Sequence, residues 1–134
     1  MSCRIYMDHA ATTEMLPEVR EAMGPYLREE YGNASTSYEM GVRMHDVLED
    51  ARAKIARVID AQPEEIFFTS GGSESDNWVI KNVAGEKKHI GKHIITTKIE
   101  HHAILRSCQY LESLGYEVTY LDVDDYGLVR AEDV

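Results

Sequence analysis

The sequence predicts an α/β protein built on a mainly parallel sheet, and three observations carry that prediction. Short runs rich in β-branched and aromatic residues recur at 65–69, 92–97 and 117–121. Longer stretches with apolar residues three or four apart separate them, the spacing of amphipathic helices. Strand, helix, strand, helix, strand in this order and at these lengths is the pattern of strands laid parallel by helical crossovers. At 134 residues the chain can form one domain with a real core but hardly two.

Each element has its own reason. Ile5, Tyr6 and Met7 make a short apolar start, followed by the small polar run Asp8-His9-Ala10-Ala11-Thr12-Thr13. Pro17 suits a first helical turn, and Val19, Ala22, Met23 and Tyr26 continue at helical spacing to about residue 27. Residues 30–37 are small, polar and turn-prone, hence a loop. From 38 to 59 a long helix is predicted, with Val47, Leu48, Ala51, Ile55 and Val58 on the core face and Asp46, Glu49, Asp50, Arg52 and Arg57 around the rest. After Gln62-Pro63 the pattern changes to a strand over 65–69, stopped by Ser70-Gly71-Gly72-Ser73. A helix follows with Trp78, Val79 and Val83 facing inward and Gly85 near its end. A second strand covers 92–97, and a helix over 102–114 carries Leu105, Cys108 and Leu111 on one side before Gly115 ends it. The third strand is 117–121, and the acidic stretch 122–134 opens a new pattern at Gly127-Leu128-Val129.

Composition narrows the function classes. Hydrophobic residues are 43% and charged residues 28% of the chain, the balance of a folded soluble protein rather than a disordered one. Fourteen basic against 24 acidic residues give a formal net charge of −10, which argues against a nucleic-acid surface, where a basic stripe would meet the phosphates. The two cysteines, Cys3 and Cys108, have no metal-like spacing and read as reduced thiols of a cytoplasmic protein, Cys108 as a small buried apolar side chain. With no signal-peptide pattern and no long uncharged apolar run, neither secretion nor membrane spanning is expected.

Two local features carry chemistry. In Ile66-Phe67-Phe68-Thr69-Ser70-Gly71-Gly72-Ser73-Glu74-Ser75-Asp76-Asn77 a strand runs into two glycines and a helix start. Glycines let the backbone approach a ligand, and free amides at a helix start favour a phosphate. Ser73 and Asp76, three apart, form a variant capping box, and a plain capped turn with no ligand is the competing reading. The run is not a P-loop, because no Lys-Ser/Thr pair follows at the required spacing. The second feature is Ile99-Glu100-His101-His102, after the second strand, at the sheet end where ligands gather in open α/β folds. An imidazole there can stack on an aromatic cofactor or move protons; the competing reading is a helix-start histidine bonded to nearby backbone. No metal site is expected, since no ligand set has metal spacing.

Taken together, Asp8-His9-Ala10-Ala11-Thr12-Thr13, Gly32-Asn33-Ala34-Ser35, the 68–77 turn, Gly91-Lys92-His93-Ile94-Ile95 and Glu100-His101 form an ordered series. That series closely resembles the cysteine desulfurases, within the class V aminotransferase-like group of fold-type-I enzymes that use pyridoxal 5′-phosphate (PLP). The resemblance runs over nearly the whole chain. It implies the large domain of a PLP-dependent transferase of the aspartate-aminotransferase type, three-layered with a mainly parallel sheet and truncated. Residues 1–15 would be an N-terminal segment and 16–134 an incomplete PLP-binding domain. By resemblance, Gly72 and Ser73 bind the cofactor phosphate, where many relatives have Ala-Thr. His101 stacks on the pyridine ring and assists proton transfers. Asn33, Ala11 and Thr12 border the active-site entrance. The chain departs from the family at Ala34, where Pro is frequent, and at Tyr38, where His is frequent.

The resemblance further implies conversion of L-cysteine to L-alanine, with sulfur held as an enzyme persulfide and passed to an iron–sulfur scaffold or another sulfur acceptor, in a homodimer. Family members are about three times as long. Their Schiff-base lysine, ring-nitrogen aspartate, carboxylate-binding arginine and nucleophilic cysteine lie beyond the equivalent of Val134. None of the six lysines here matches the lysine motif, and neither Cys3 nor Cys108 stands in for the sulfur nucleophile. The expectation is therefore a piece of a longer enzyme, inactive by itself. In the family's sheet the strand before Gly71 is separated from the next two by later strands, so exposed edges and apolar helix faces are expected as well. Three other readings stay open at this stage: a selenocysteine lyase, a class V aminotransferase, and a non-catalytic piece that docks on a full-length relative.

Overall fold

The structure is a computed structural model and describes residues 5–134; Cys3 lies outside the described residues. It divides into two compact units, residues up to Phe67 and Phe68–Val134.

In the first unit, residues 5–16 are exposed and carry no helix or strand beyond a turn in which the Ala11 N–H donates to the Asp8 carbonyl at 3.1 Å. Helix α1, Pro17–Met23, has proline at its first position, where the missing N–H costs nothing. The predicted helix to residue 27 ends sooner. Pro25 cannot donate into the α-helical ladder, and the chain tightens into a 3-10 turn, Pro25–Leu27. Helix α2, Glu39–Val58, matches the predicted range within a residue at each end.

Of the α2 face predicted as core, Val47 and Ala51 are partly buried, while the other three residues are exposed. Leu48, Ile55 and Val58 are 43%, 42% and 84% exposed, and the buried positions are the small residues Gly41 and Ala56. Close backbone approach selects small side chains, while the larger apolar residues of this face stay at the surface. A second 3-10 turn, Pro63–Glu65, follows, with the Gln62 N–H donating to Glu65 Oε2 at 2.8 Å. The Arg52 guanidinium reaches from α2 to the Ile66 carbonyl and holds this segment to the helix.

The strand predicted over 65–69 is not formed: Glu65 closes the 3-10 turn, and residues 66–69 join no sheet. A strand is made by its ladder partner, and among the described residues the sheet has two strands, which pair with each other.

The second unit is α3 (Gly72–Lys87), β1 (His93–Thr97), α4 (His102–Ser113) and β2 (Glu117–Leu121), followed by a 3-10 turn at Ala131–Asp133. Strands β1 and β2 are parallel, with Ile94 opposite Val118 and Thr97 opposite Leu121, so α4 is the crossover of a βαβ unit. Its inner stripe, Ala103, Ser107, Cys108 and Leu111, is buried at helical spacing, with Cys108 1% and Leu111 3% exposed. Helix α4 packs on α3 and β2. Gly115 ends the crossover at φ 85°, a left-handed conformation that glycine adopts without strain. The Tyr116 hydroxyl donates to the Ala84 carbonyl at 2.7 Å and ties the start of β2 to α3. On α3, Ala84 is buried, while Trp78, Val79 and Val83, predicted inward, are 47%, 62% and 54% exposed.

Candidate active site

The turn into α3 is built differently from the predicted capping box. The helix starts at Gly72, its N-cap is Gly71, and no side chain caps it. Ser73 is thus the second helical residue and takes no cap position, so the Ser73–Asp76 box is not formed; the Ser73 carbonyl instead accepts from Asn77 Nδ2 at 2.8 Å. The reciprocal contact belongs to Glu74, whose Oε2 accepts the Ser70 N–H at 2.6 Å. Bonds from the Ser70 amide and hydroxyl hold the Glu74 carboxyl below its ordinary value. Thr69 Oγ1 lies 2.7 Å from Ser75 Oγ and donates to the Gly71 carbonyl at 3.2 Å, a second tie across the turn.

These bonds leave a defined set of donors. The Gly71 carbonyl accepts from the amides of Glu74 and Ser75, at 3.1 and 3.2 Å, and closes the first helical turn. Among the described residues, the amides of Gly71, Gly72 and Ser73 have no acceptor in the chain. Glycine at 71 and 72 is not required by crowding, because a Cβ at either would meet no atom within 4 Å. At Gly71 φ is 159°, a conformation that L side chains rarely adopt, whereas at Gly72 close approach of a ligand supplies a reason for glycine. With the exposed Ser73 hydroxyl beside them, they present consecutive donors at a helix start, the arrangement that suits a phosphate. The residues present therefore fit the phosphate of PLP.

His101 is the N-cap of α4, and its Nδ1 accepts the Ala103 N–H at 3.1 Å. The competing reading of a histidine bonded to nearby backbone is thus part of the geometry. It does not exhaust the ring: with Nδ1 an acceptor, the neutral imidazole carries its proton on Nε2, and the ring is exposed. The rings of His101 and His102 are 6.2 Å apart and tilted by 54°. Just before them, Thr97 Oγ1 donates to Glu100 Oε1 at 2.9 Å, fixing the loop that carries His101 to the end of β1. Ser73 and His101 belong to one unit, on helices that pack together, with no direct hydrogen bond between them.

The remaining residues from the sequence reading lie in the first unit. Asn33 is exposed, its Oδ1 accepts the Ser35 N–H at 2.9 Å, and its carbonyl accepts Thr36 Oγ1 at 2.7 Å. Ala11 and Thr12 are exposed, with both amides turned to the Asp8 carbonyl. Sequence reasoning missed Glu74 and Thr69 as turn-builders. The signal was present in Glu74, which stands four residues after Ser70, the reach of a carboxylate across one helical turn. Cys108, buried in the α4 stripe, has its thiol pushed up by burial and by the charges of Glu112 and Glu100, so it stays protonated.

Comparison with known proteins identifies the family. The family model described as Aminotransferase class-V matches residues 5–134. The chain is 51% identical over 130 residues to a cysteine desulfurase IscS of Methanosarcina thermophila, covering 97% of this chain and 32% of that protein. It is 50% identical over all 134 residues to a cysteine desulfurase IscS of Dictyoglomus turgidum, covering 34% of it. The chain spans about a third of the length of the curated relatives it matches. Among solved structures, a NifS-like protein superposes with a TM-score of 0.92 at 42% identity, over 98% of this chain and 36% of that one. A structure described as SspA in complex with cysteine gives 0.87 at 38% identity, over 95% of this chain and 37% of that one. The fold is accordingly that of part of a PLP-dependent cysteine desulfurase, with its parallel β1–α4–β2 unit in place. With 130 of its 134 residues matched in order, this chain belongs to the aminotransferase class-V family.

Proposed function

We propose that the chain supplies part of the PLP-binding large domain, residues 16–134, of a cysteine desulfurase that converts L-cysteine to L-alanine and retains the sulfur for transfer. The observation that carries this reading is the identity of about half to relatives named cysteine desulfurase, sustained over 97% of the chain. The exposed donors at Gly72 and Ser73 and the helix-capping imidazole of His101 support it from within the fold.

In this reading the amides and hydroxyl of Gly72 and Ser73 hold the cofactor phosphate, and the first turn of α3 adds its dipole. His101 covers the cofactor ring and holds or gives a proton at Nε2, while its Nδ1 bond to Ala103 fixes the ring's orientation. By the family likeness, Asn33, Ala11 and Thr12 are assigned to the substrate entrance of the complete enzyme. When bound, PLP supplies the electron sink that weakens bonds at the substrate's α-carbon. L-Cysteine as substrate is supported by the relatives' names and by the SspA structure described with cysteine. A homodimer in the cytoplasm, delivering sulfur to an iron–sulfur scaffold or another acceptor protein, follows from the same likeness. None of the six lysines matches the family's lysine motif, so these 134 residues alone do not turn over cysteine.

The test measures alanine released from L-cysteine by the full-length holoenzyme this reading implies, beside the 134-residue chain. Alanine from the first only is expected, with His101→Ala lowering kcat by about 10²-fold or more, the range for a lost acid–base group. A PLP-loaded full-length protein that releases no alanine, or loses nothing on His101→Ala, overturns the reading.

A further inference from the structure

Glu74 poses a problem at this site. It stands at the third helical position of α3, and bonds from Ser70 hold its carboxyl below its ordinary value. Placed beside a phosphate, its charge has the wrong sign. Its acidic place in the first turn favours the helix dipole, which explains a carboxylate there but not its contact. In an ordinary capping box the third residue returns to the N-cap amide, which here is Gly71. Glu74 instead reaches one residue further back and takes the N–H of Ser70 at 2.6 Å. The amides of Gly71, Gly72 and Ser73 are thereby left for a ligand, and the one amide consumed is the one before them.

We infer that Glu74 is a positioning residue for the cofactor phosphate, tying Ser70 to the first turn of α3 so that the Gly71–Ser73 amides face one anion. The inference rests on the PLP reading given above. Thr69 supports the same turn from the other side, through Ser75 Oγ and the Gly71 carbonyl. The negative charge is not what the turn needs. An amide oxygen accepts the same Ser70 N–H, so Glu74→Gln keeps the tie and removes the repulsion, while Glu74→Ala removes both.

The experiment titrates PLP into the full-length apoprotein and its two variants, reading cofactor absorbance and the ³¹P resonance of the bound phosphate, with thermal melting of each apoprotein alongside. Glu74→Ala is expected to weaken PLP about five- to tenfold and broaden or shift the ³¹P line, the loss of one intramolecular hydrogen bond that holds the turn. Glu74→Gln is expected to bind as tightly as the parent or more tightly, with the parent ³¹P shift. A Glu74→Ala protein that melts like the parent and binds PLP within twofold of it overturns the inference. So does a Glu74→Gln protein as weak as Glu74→Ala, which would assign the effect to charge. A parent protein that binds no PLP overturns the cofactor reading itself, a result distinct from either.

Discussion

A methyl group at Gly41 has no room. Its Cβ would lie 2.0 Å from Thr36 Oγ1, 2.6 Å from the Thr36 carbonyl and 2.7 Å from the Asn33 carbonyl. Two of these are backbone atoms of a turn already closed by Thr36 Oγ1 on Asn33, so the turn and α2 must separate to admit a side chain. Gly41→Ala is expected to cost about 1–3 kcal/mol, the range for overpacking a tight contact, measured as a lower urea midpoint with unchanged slope. An unchanged midpoint would mean that the turn yields freely. The sequence singled out Asn33 and its loop but not Gly41, since periodicity does not report how closely a turn rests on a helix. The reverse holds for His101 and Cys108. The position of His101, after a strand and opening a helix, was legible from pattern alone, and so was the burial of Cys108 on the stripe it shares with Leu111. The turn at Gly71 lies between these cases: its glycines were legible, while the choice between Asp76 and Glu74 as its partner depended on where the first helical turn begins.

At the scale of elements, the link between α4 and β2 makes a pH prediction. The Tyr120 hydroxyl donates to Glu112 Oε2 at 2.9 Å, and desolvation, that bond and the Glu112 charge push the phenol up to about 12. The unfolded phenol titrates near 10. Below about pH 10 both states keep the proton, and Tyr120 contributes no pH dependence. Between about 10 and 12 the unfolded chain loses its proton first, so stability falls as pH rises through that window. Urea midpoints from pH 9 to 12 are expected to decline less steeply in Tyr120→Phe than in the parent; parallel declines would show that the pair is not held in solution. The elements themselves were largely legible: α2, α4, β1 and β2 fall within a residue or so of their predicted bounds. The exception is the run 65–69, whose β-branched and aromatic content describes what a strand needs but cannot supply the neighbour that makes it one.

For the whole molecule, the decisive quantity is apolar surface with nothing over it. On α2 the larger apolar side chains Leu48, Ile55 and Val58 are exposed, and on α3 Val79 and Val83 are more than half exposed. Sequence pattern located both faces, since an apolar stripe on a helix states that something must cover it. It could not say what covers it, because that depends on chain or partner outside the stripe. Contiguous apolar patches beyond a few hundred Å² are rare on soluble monomers, and they bind partners or self-associate. The net charge of −10 opposes association over long range, but at physiological salt that repulsion is screened within about 8 Å and does not protect a patch once two copies touch. The isolated 134-residue chain is therefore expected to bind the dye ANS strongly and to sediment as concentration-dependent oligomers at 0.15 M salt. Substituting Val58 and Val79, both well exposed, by Glu is expected to lower dye binding and shift sedimentation toward monomer, at little cost to either helix since both side chains lie mostly at the surface. A parent chain that stays monomeric and dye-silent across the same concentrations would show that these faces close on themselves in solution, and the reading of α2 and α3 as uncovered would fall with it.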